Sequence, residues 1–260
     1  MTMQPEQWLT QVAKRFDKAA TTYTQFNKTQ HVFAQRLYQR AYVSSLGHCL
    51  DLGCGPGSET QFLLEHCHEY LGVDPAKGML AQASKLFPQV AYKQGSAECI
   101  PAENAQFDTV FANFSLQWCP DINTVANELF RVIRSGGQVL MNTLLTGTFA
   151  ELVDVYSALD DKQHTIAYRT QAEVEAKFRQ AGFEVTSEVV VHTDYFKQFE
   201  SLLRHIKGVG ASQTPQQHRG LMTPTRWQKL KANYEQKRTS KGLPLTWKVL
   251  EATLIKDKMY

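Results

Sequence analysis

The stretch Cys49-Leu50-Asp51-Leu52-Gly53-Cys54-Gly55-Pro56-Gly57 sets a short apolar run carrying one acid against glycines at alternate positions. Cys49, Leu50 and Leu52 read as a buried strand, and the glycines as a sharp turn into a helix. Glycine tolerates backbone angles and close approach that a side chain blocks. A ligand can therefore lie against the main chain above the carboxyl end of the first strand, where open α/β sheets bind their ligands. A glycine-rich turn with no ligand is the plainer reading, and the residues around it argue against that.

Downstream, a helix is expected from Ser58, a possible N-cap, to His66. Tyr70 to Asp74 reads as a second strand ending in an acid, Pro75 to Phe87 as a helix, and Val90 to Gln94 as a third strand. Phe107 to Ala112 is the fourth and leads into Asn113-Phe-Ser-Leu-Gln-Trp118. Thr124 to Val132 is helical, Ser135-Gly136-Gly137 closes that helix, and Gln138 to Thr143 is the fifth strand. A helix over Ala172 to Ala181, a β run from Phe183 to Val191, helices over Phe196 to Lys207 and Pro224 to Lys237, and a last strand from Pro244 to Ile255 complete the pattern. Strands alternating with helices at this spacing give an α/β fold of βαβ units with a mostly parallel sheet, seven strands in all. Upstream, apolar positions at helical spacing between residues 5 and 42 predict two helices joined by a bend over Ala19 to Asn27. They are either a cap over the pocket or a pair packed on the sheet. The expected organisation is one domain, with a helical cap at 1–45, a sheet core at 46–196 and 243–260, and a basic helical insertion at 197–242.

At 260 residues with 43 % hydrophobic content the chain can bury a sizeable core. No apolar run approaches the ~20 residues that span a bilayer. Pro5, Glu6 and Gln7 stand where a signal peptide needs an apolar core, so a cytoplasmic, non-membrane protein is expected. The five cysteines include no CxxC pair, which fits a reduced compartment better than a disulfide framework or zinc site. His66-Cys67-His68 has no second ligand cluster to complete a metal site and reads as a surface helix end. The net charge of +3 conceals an asymmetry: between Lys197 and Lys248 eleven Lys or Arg stand against Glu200 and Glu235, and the remainder of the chain is net acidic. A basic stretch beside an acidic body points to an anionic partner. Nucleic acid is the rival partner, since Phe196, Phe199, Trp227 and Tyr234 could stack on bases, but their helical spacing favours core positions, and no nucleic acid is expected.

Asp51 and Asp74 lie 23 residues apart, one βα unit. In a doubly wound sheet that spacing puts a carboxylate at the end of the neighbouring strand, within reach of both ribose hydroxyls. A dinucleotide enzyme would share this much. Here, however, the glycines run G-x-G-x-G, and Asp51 precedes them, where it would repel a pyrophosphate. A ligand bearing an ammonium and a sulfonium would not be repelled.

Asp51 to Gly57, Asp74, Met79-Leu80, Gly95-Ser-Ala-Glu98 and the segment from Phe107 to Trp118 resemble class I methyltransferases that use S-adenosylmethionine. The resemblance implies a Rossmann-like arrangement in which Gly53 approaches the methionyl part, Asp74 holds the ribose, Met79 packs on adenine, Ala97 and Glu98 meet its edge, and Asn113 lies near the sulfonium. It extends the cofactor set to Tyr23, Gln30, Asp51, Gly55, Pro75, Ser96 and Gln117. Ala76 stands where the family usually has serine. Phe16-Asp-Lys-Ala-Ala20, Tyr23, Gln30, Ser115-Leu-Gln-Trp118, Leu203-Arg-His-Ile-Lys-Gly-Val-Gly-Ala211 and Leu243-Pro-Leu-Thr246 resemble, more narrowly, the malonyl-acyl-carrier-protein O-methyltransferases of biotin synthesis. Trp247 replaces the tyrosine general in that family. The implied activity is methylation of the malonyl carboxylate, with an acidic carrier protein docking on the basic segment. Such a carboxylate is ionised at neutral pH, so no general base and no catalytic triad are expected. Arg204 is the candidate clamp for it, since a guanidinium offers a bidentate fork, with Lys207 one helical turn away and His205 and Trp118 completing the substrate set. Methylation of another small acid or a quinone-type acceptor, and a non-catalytic S-adenosylmethionine-binding regulator, are the alternatives.

Overall fold

The computed structural model describes residues 4–159, 164–210 and 223–257. Ala211, Arg219 and the outermost residues of the expected cap and core lie outside the described residues. In chain order the elements are α1 (Pro5–Ala19), α2 (Lys28–Tyr38), β1 (His48–Leu52), α3 (Thr60–Leu64), β2 (Glu69–Asp74), α4 (Lys77–Leu86), β3 (Ala91–Gln94), β4 (Phe107–Ala112), α5 (Ile122–Val132), β5 (Ile133–Leu144), α6 (Ala150–Ser157), α7 (Gln171–Gln180), β6 (Phe183–Phe196), α8 (Phe199–Gly208), α9 (Pro224–Glu235) and β7 (Leu243–Lys256).

The strands form one seven-stranded sheet in the order β3-β2-β1-β4-β5-β7-β6. β1 pairs in parallel with β2 on one side and β4 on the other, and β7 alone runs antiparallel, between β5 and β6. The expected mostly parallel sheet is therefore observed. Its chain order reverses at β1, so the connections after β1 and β4 leave to opposite sides and a crevice opens at their carboxyl ends. Leu50, Leu52, Val110, Val139, Met141 and Leu129 fill the core below it.

Several boundaries differ from the sequence reading, each for a visible reason. Ser58 does not cap α3: its Oγ accepts a hydrogen bond from Asn27 Nδ2 at 2.9 Å, and the helix starts at Thr60. α5 begins at Ile122 because Asp121 is the cap, accepting from the amides of Asn123 and Thr124. Ser135-Gly136-Gly137 does not end a helix by a loop. α5 ends at Val132 and the chain passes directly into β5, where these residues form an irregularity in the pairing with β4, with Gly136 at φ +78°. α6 was not expected from sequence.

β5 pairs with β7 only as far as Leu144 opposite Val249, whereas β6 and β7 run on together to Phe196 opposite Leu243. This two-stranded extension stands beyond the carboxyl end of the sheet and carries a second core. Phe199, Leu202 and Ile206 of α8, at helical spacing, pack there with Leu230 and Tyr234 of α9, Leu152 and Val155 of α6, and Leu245 and Trp247 of β7. Each fully buried aliphatic or aromatic side chain contributes roughly 1.5–3 kcal/mol, so the described helices of the insertion are docked. Among the described residues no helix is long and apolar enough to cross a membrane.

Candidate functional site

After β1 the main chain turns at Gly53, φ +83°, where an added Cβ would lie 2.4 Å from Ser115 Cβ. The amides of Gly53 and Cys54 both donate to Val73 O, at 2.7 and 3.1 Å, so the turn is hooked onto β2. Gly55 N donates to Asp74 Oδ2 at 3.0 Å, and Ala76 N to Oδ1 at 2.8 Å. Gly55 itself has φ +55°, and a Cβ there would meet nothing within 4 Å. Burial pushes the Asp74 carboxyl up to about 6, with the two amide hydrogen bonds acting in the opposite direction.

These residues form the floor of a concave pocket partly open to solvent, the shape of a small-molecule site. Gly53, Gly55, Asp74, Pro75 and Met79 line it from β1, β2 and α4. Tyr23, Ser96, Ala97, Glu98, Asn113 and Trp118 line it from the loops around them. The Glu98 carboxylate is shielded from solvent beside Ser96 and Cys119, and the hydroxyl of Ser115, which also lines the cavity, is shielded without a hydrogen-bond partner among the described residues. Burial raises the Glu98 carboxyl and the Tyr23 phenol above their ordinary values, the charge of Asp74 adding to the shift on Tyr23.

Three candidate cofactor residues do not line the cavity. Asp51 accepts a hydrogen bond from the Tyr70 hydroxyl at 2.8 Å, and Tyr70 is paired in turn with Thr60. Burial pushes the Asp51 carboxyl up to about 7, against the lowering effect of Tyr70. Gln117 folds back to donate to Phe114 O at 2.6 Å. Gln30, in α2, offers its main-chain carbonyl to Asn113 Nδ2 at 3.0 Å, and its own Oε1 is buried without a partner among the described residues.

Conversely, Leu9, Val12 and Phe16 of α1 line the cavity although none was among the candidate site residues. Their spacing of three and four residues was the available signal. α1 is fixed across the crevice at both ends: Trp8 Nε1 donates to Trp118 O at 2.7 Å, and Gly78 N donates to Asp17 Oδ1 at 2.6 Å. Phe16 meets Trp118 edge to face at 5.4 Å between centroids. α1 therefore forms a wall of the cavity.

The substrate candidates of α8 lie above this wall. Arg204 and Lys207 are exposed and do not line the cavity. His205 sits among Phe26, Phe196 and Trp247, with Nε2 4.0 Å from Asp194 Oδ2, and burial lowers its pKa against the opposing charge of Asp194. Asp194 Oδ2 also accepts from Thr29 Oγ1 at 2.9 Å and from Trp247 Nε1 at 2.7 Å, joining α2, β6 and β7. α8 reaches the cap through its terminal glycines. An added Cβ at Gly208 would fall 2.3 Å from the Phe26 ring, and one at Gly210, φ +76°, 2.8 Å from the Phe16 ring.

Residues 50–141 match the family model described as a methyltransferase domain. A malonyl-acyl-carrier-protein O-methyltransferase of Marinomonas sp. (strain MWYL1) is 30% identical over 92% of this chain and 91% of its own length. Among solved structures, the YcgJ protein of Bacillus subtilis is similar with a TM-score of 0.62 at 17% identity, covering 88% of this chain and 99% of that one. A SAM-dependent methyltransferase of Thermotoga maritima gives 0.56 at 16%, covering 95% and 100%. Sheet order, glycine turn and domain match together define an S-adenosylmethionine-dependent methyltransferase. The sequence relationship is narrower than that and takes in the cap and the insertion as well as the core. The chain belongs to the malonyl-acyl-carrier-protein O-methyltransferase family.

Proposed function

We propose that this protein transfers a methyl group from S-adenosylmethionine to the free carboxylate of malonyl-acyl-carrier protein in the cytoplasm, giving the methyl ester that primes pimeloyl synthesis for biotin. The observation that carries this reading is that α8 bears Arg204 and Lys207 and the segment after it meets the cavity wall, where Gly210 lies against Phe16. The residues present fit the cofactor. The cavity has a half-buried carboxylate at Glu98, a buried hydroxyl at Ser115 without a partner among the described residues, open space beside the main chain at Gly55, and a carboxylate at Asp74. Asp74 takes the ribose hydroxyls on the lone pairs its two amide contacts leave. Met79 and Ala97 flank the adenine, and Glu98 receives its amino edge. At Ala76 the family's serine hydroxyl is absent, while the main-chain N–H donates to Asp74 Oδ1.

Bound S-adenosylmethionine supplies an electrophilic methyl group on a sulfonium. The acceptor carboxylate is ionised at neutral pH by analogy with Asp, so the chain has no proton to remove. Its task is to align acceptor with donor and exclude water, a contribution of up to ~7–11 kcal/mol. Leu9, Val12, Phe16 and Trp118 provide the apolar enclosure. Arg204 forks onto the malonyl carboxylate with Lys207 in support; neither has an acidic partner within 4 Å among the described residues, so both are available. Esterification removes the charge that this clamp holds, and the product leaves. Residues 197–242 act as the basic lid on which the acidic carrier docks. The test is incubation with methyl-labelled S-adenosylmethionine and malonyl-acyl-carrier protein. Label in the thioester is expected. Label only in free small acids would move the acceptor to another class, and binding without transfer would make the protein a non-catalytic binder.

A further inference from the structure

A chain of hydrogen bonds passes from the loop after β4, through β5, to α2. Phe114 N donates to Asn142 Oδ1 at 2.7 Å, Asn142 Nδ2 donates to Asn113 Oδ1 at 2.7 Å, and Asn113 Nδ2 donates to Gln30 O at 3.0 Å. Side-chain amides can be oriented either way, and only their surroundings decide. Here both ends are fixed by main-chain groups, since an N–H can only donate and a carbonyl can only accept. With the ends set, every amide between them has one consistent orientation.

Asn142 is fully buried near the carboxyl end of β5 and does not touch the cavity, whereas both residues it bonds to line it. One of them, Phe114, is held at φ +49°, a conformation unfavourable for a residue with a Cβ. The same loop carries Ser115 against Gly53, and the far end of the chain holds Gln30, whose buried Oε1 lacks a partner among the described residues. We propose that Asn142 is a positioning residue for methyl transfer: its amide sets the orientation of Asn113 and the strained backbone at Phe114, and so registers the cap helix α2 with the reacting end of the cavity. This inference rests on the methyltransferase reading above. The Asn142 side chain is required as an acceptor toward Phe114 and a donor toward Asn113 at the same time.

Asn142→Asp separates these two demands. An ionised carboxylate accepts from Phe114 but faces the Asn113 oxygen with no proton. Asn113 must then flip and turn its own oxygen toward the Gln30 carbonyl. A protonated carboxyl group restores the missing donor. The ratio of the kcat of Asn142→Asp to that of the wild type, with both substrates saturating, is therefore expected to fall at least tenfold between pH 6 and pH 9. Asn142→Ala, which cannot donate at any pH, should be reduced tenfold or more throughout. Melting temperatures establish that each variant is folded. If Asn142→Ala does not fold, the Asn142→Asp ratio alone decides. A ratio for folded Asn142→Asp that is independent of pH, at any level, would overturn the proposal. Wild-type transfer to malonyl-acyl-carrier protein tests the underlying reading separately. Should that transfer be absent, calorimetric binding of S-adenosylhomocysteine to the two variants over the same pH range reads the relay: affinity for Asn142→Asp that falls with pH relative to wild type supports it, and an unchanged ratio overturns it.

Discussion

Gly53 and Gly55 share a left-handed backbone yet should fail in different ways when given a side chain. At Gly53 a Cβ meets Ser115 at 2.4 Å, so Gly53→Ala should cost about 1–3 kcal/mol of stability as well as cofactor affinity, read by thermal melting and calorimetry. At Gly55 the added carbon meets no protein atom; Gly55→Ala should lose only about 1–2 kcal/mol for its backbone angle while weakening S-adenosylhomocysteine more than tenfold. Asp74 gives a pH signature. Burial holds its carboxyl at about 6 in the folded chain, above the ~3.9 of an unfolded one. The folded state thus binds the proton more tightly, and this group's contribution to stability declines as pH rises from about 4 to about 6. Hydroxyl donors of a ligand favour the ionised form, so affinity for S-adenosylhomocysteine should drop by up to about tenfold per unit as pH falls below about 6, and Asp74→Asn should flatten that dependence. Residues of this kind were legible in the sequence because their geometry is local: three glycines, an acid, and one βα unit between two acids. Asp51 and Gln117 do not line the cavity because their hydrogen-bond partners, Tyr70 and the backbone carbonyl of Phe114, are set by packing. Asn142 has no sequence signature, being one of several polar positions in β5, with Gln138 and Thr143 in the same strand.

Among the elements, α5 and α8 make a useful contrast. α5 is capped by Asp121 on the surface. Asp121→Ala should cost about 1 kcal/mol and lower the melting temperature by about 2–4 °C, with transfer rates unchanged. α8 ends in glycines that permit contact with the cap, and the Phe26 ring stands 2.3 Å from where a Cβ at Gly208 would be. Gly208→Ala should displace α8 from the cap and raise the KM for the acyl-carrier substrate roughly tenfold, since about 1 Å of misplacement can cost a hundredfold in rate; steady-state kinetics in each substrate would check it. The apolar period of both helices was readable from the sequence. The place where α8 lands was not, because it depends on Phe16 and Phe26, nearly two hundred residues earlier. α6 escaped notice because it is short and starts without a side-chain cap, from Phe149 at φ +58°.

Over the whole molecule, the positive charge of the insertion is partly spent internally. Lys231 pairs with Glu200 at 2.7 Å, Lys237 with Asp154 at 3.0 Å and Arg238 with Glu235 at 2.7 Å. Arg204, Lys207 and Lys229 are exposed and without an acidic partner among the described residues. If these face the carrier, Lys229→Glu should raise the KM for malonyl-acyl-carrier protein about fivefold or more at low ionic strength, and the difference from wild type should shrink toward 0.5 M salt as screening sets in. A net charge of +9 over this stretch could be counted from the sequence, but its division between internal pairs and available cations required the fold. The position of β7 has a different consequence. It is the last strand in sequence yet lies inside the sheet, between β5 and β6. A nascent chain on the ribosome can assemble β1 to β5, but it leaves the β5 edge bare and β6 without a neighbour until residues 243–256 have emerged. That interval, with strand edges unpaired and the second core missing the β7 side chains, is when the protein is most exposed to aggregation and proteases, and closure of the sheet by β7 brings it to an end.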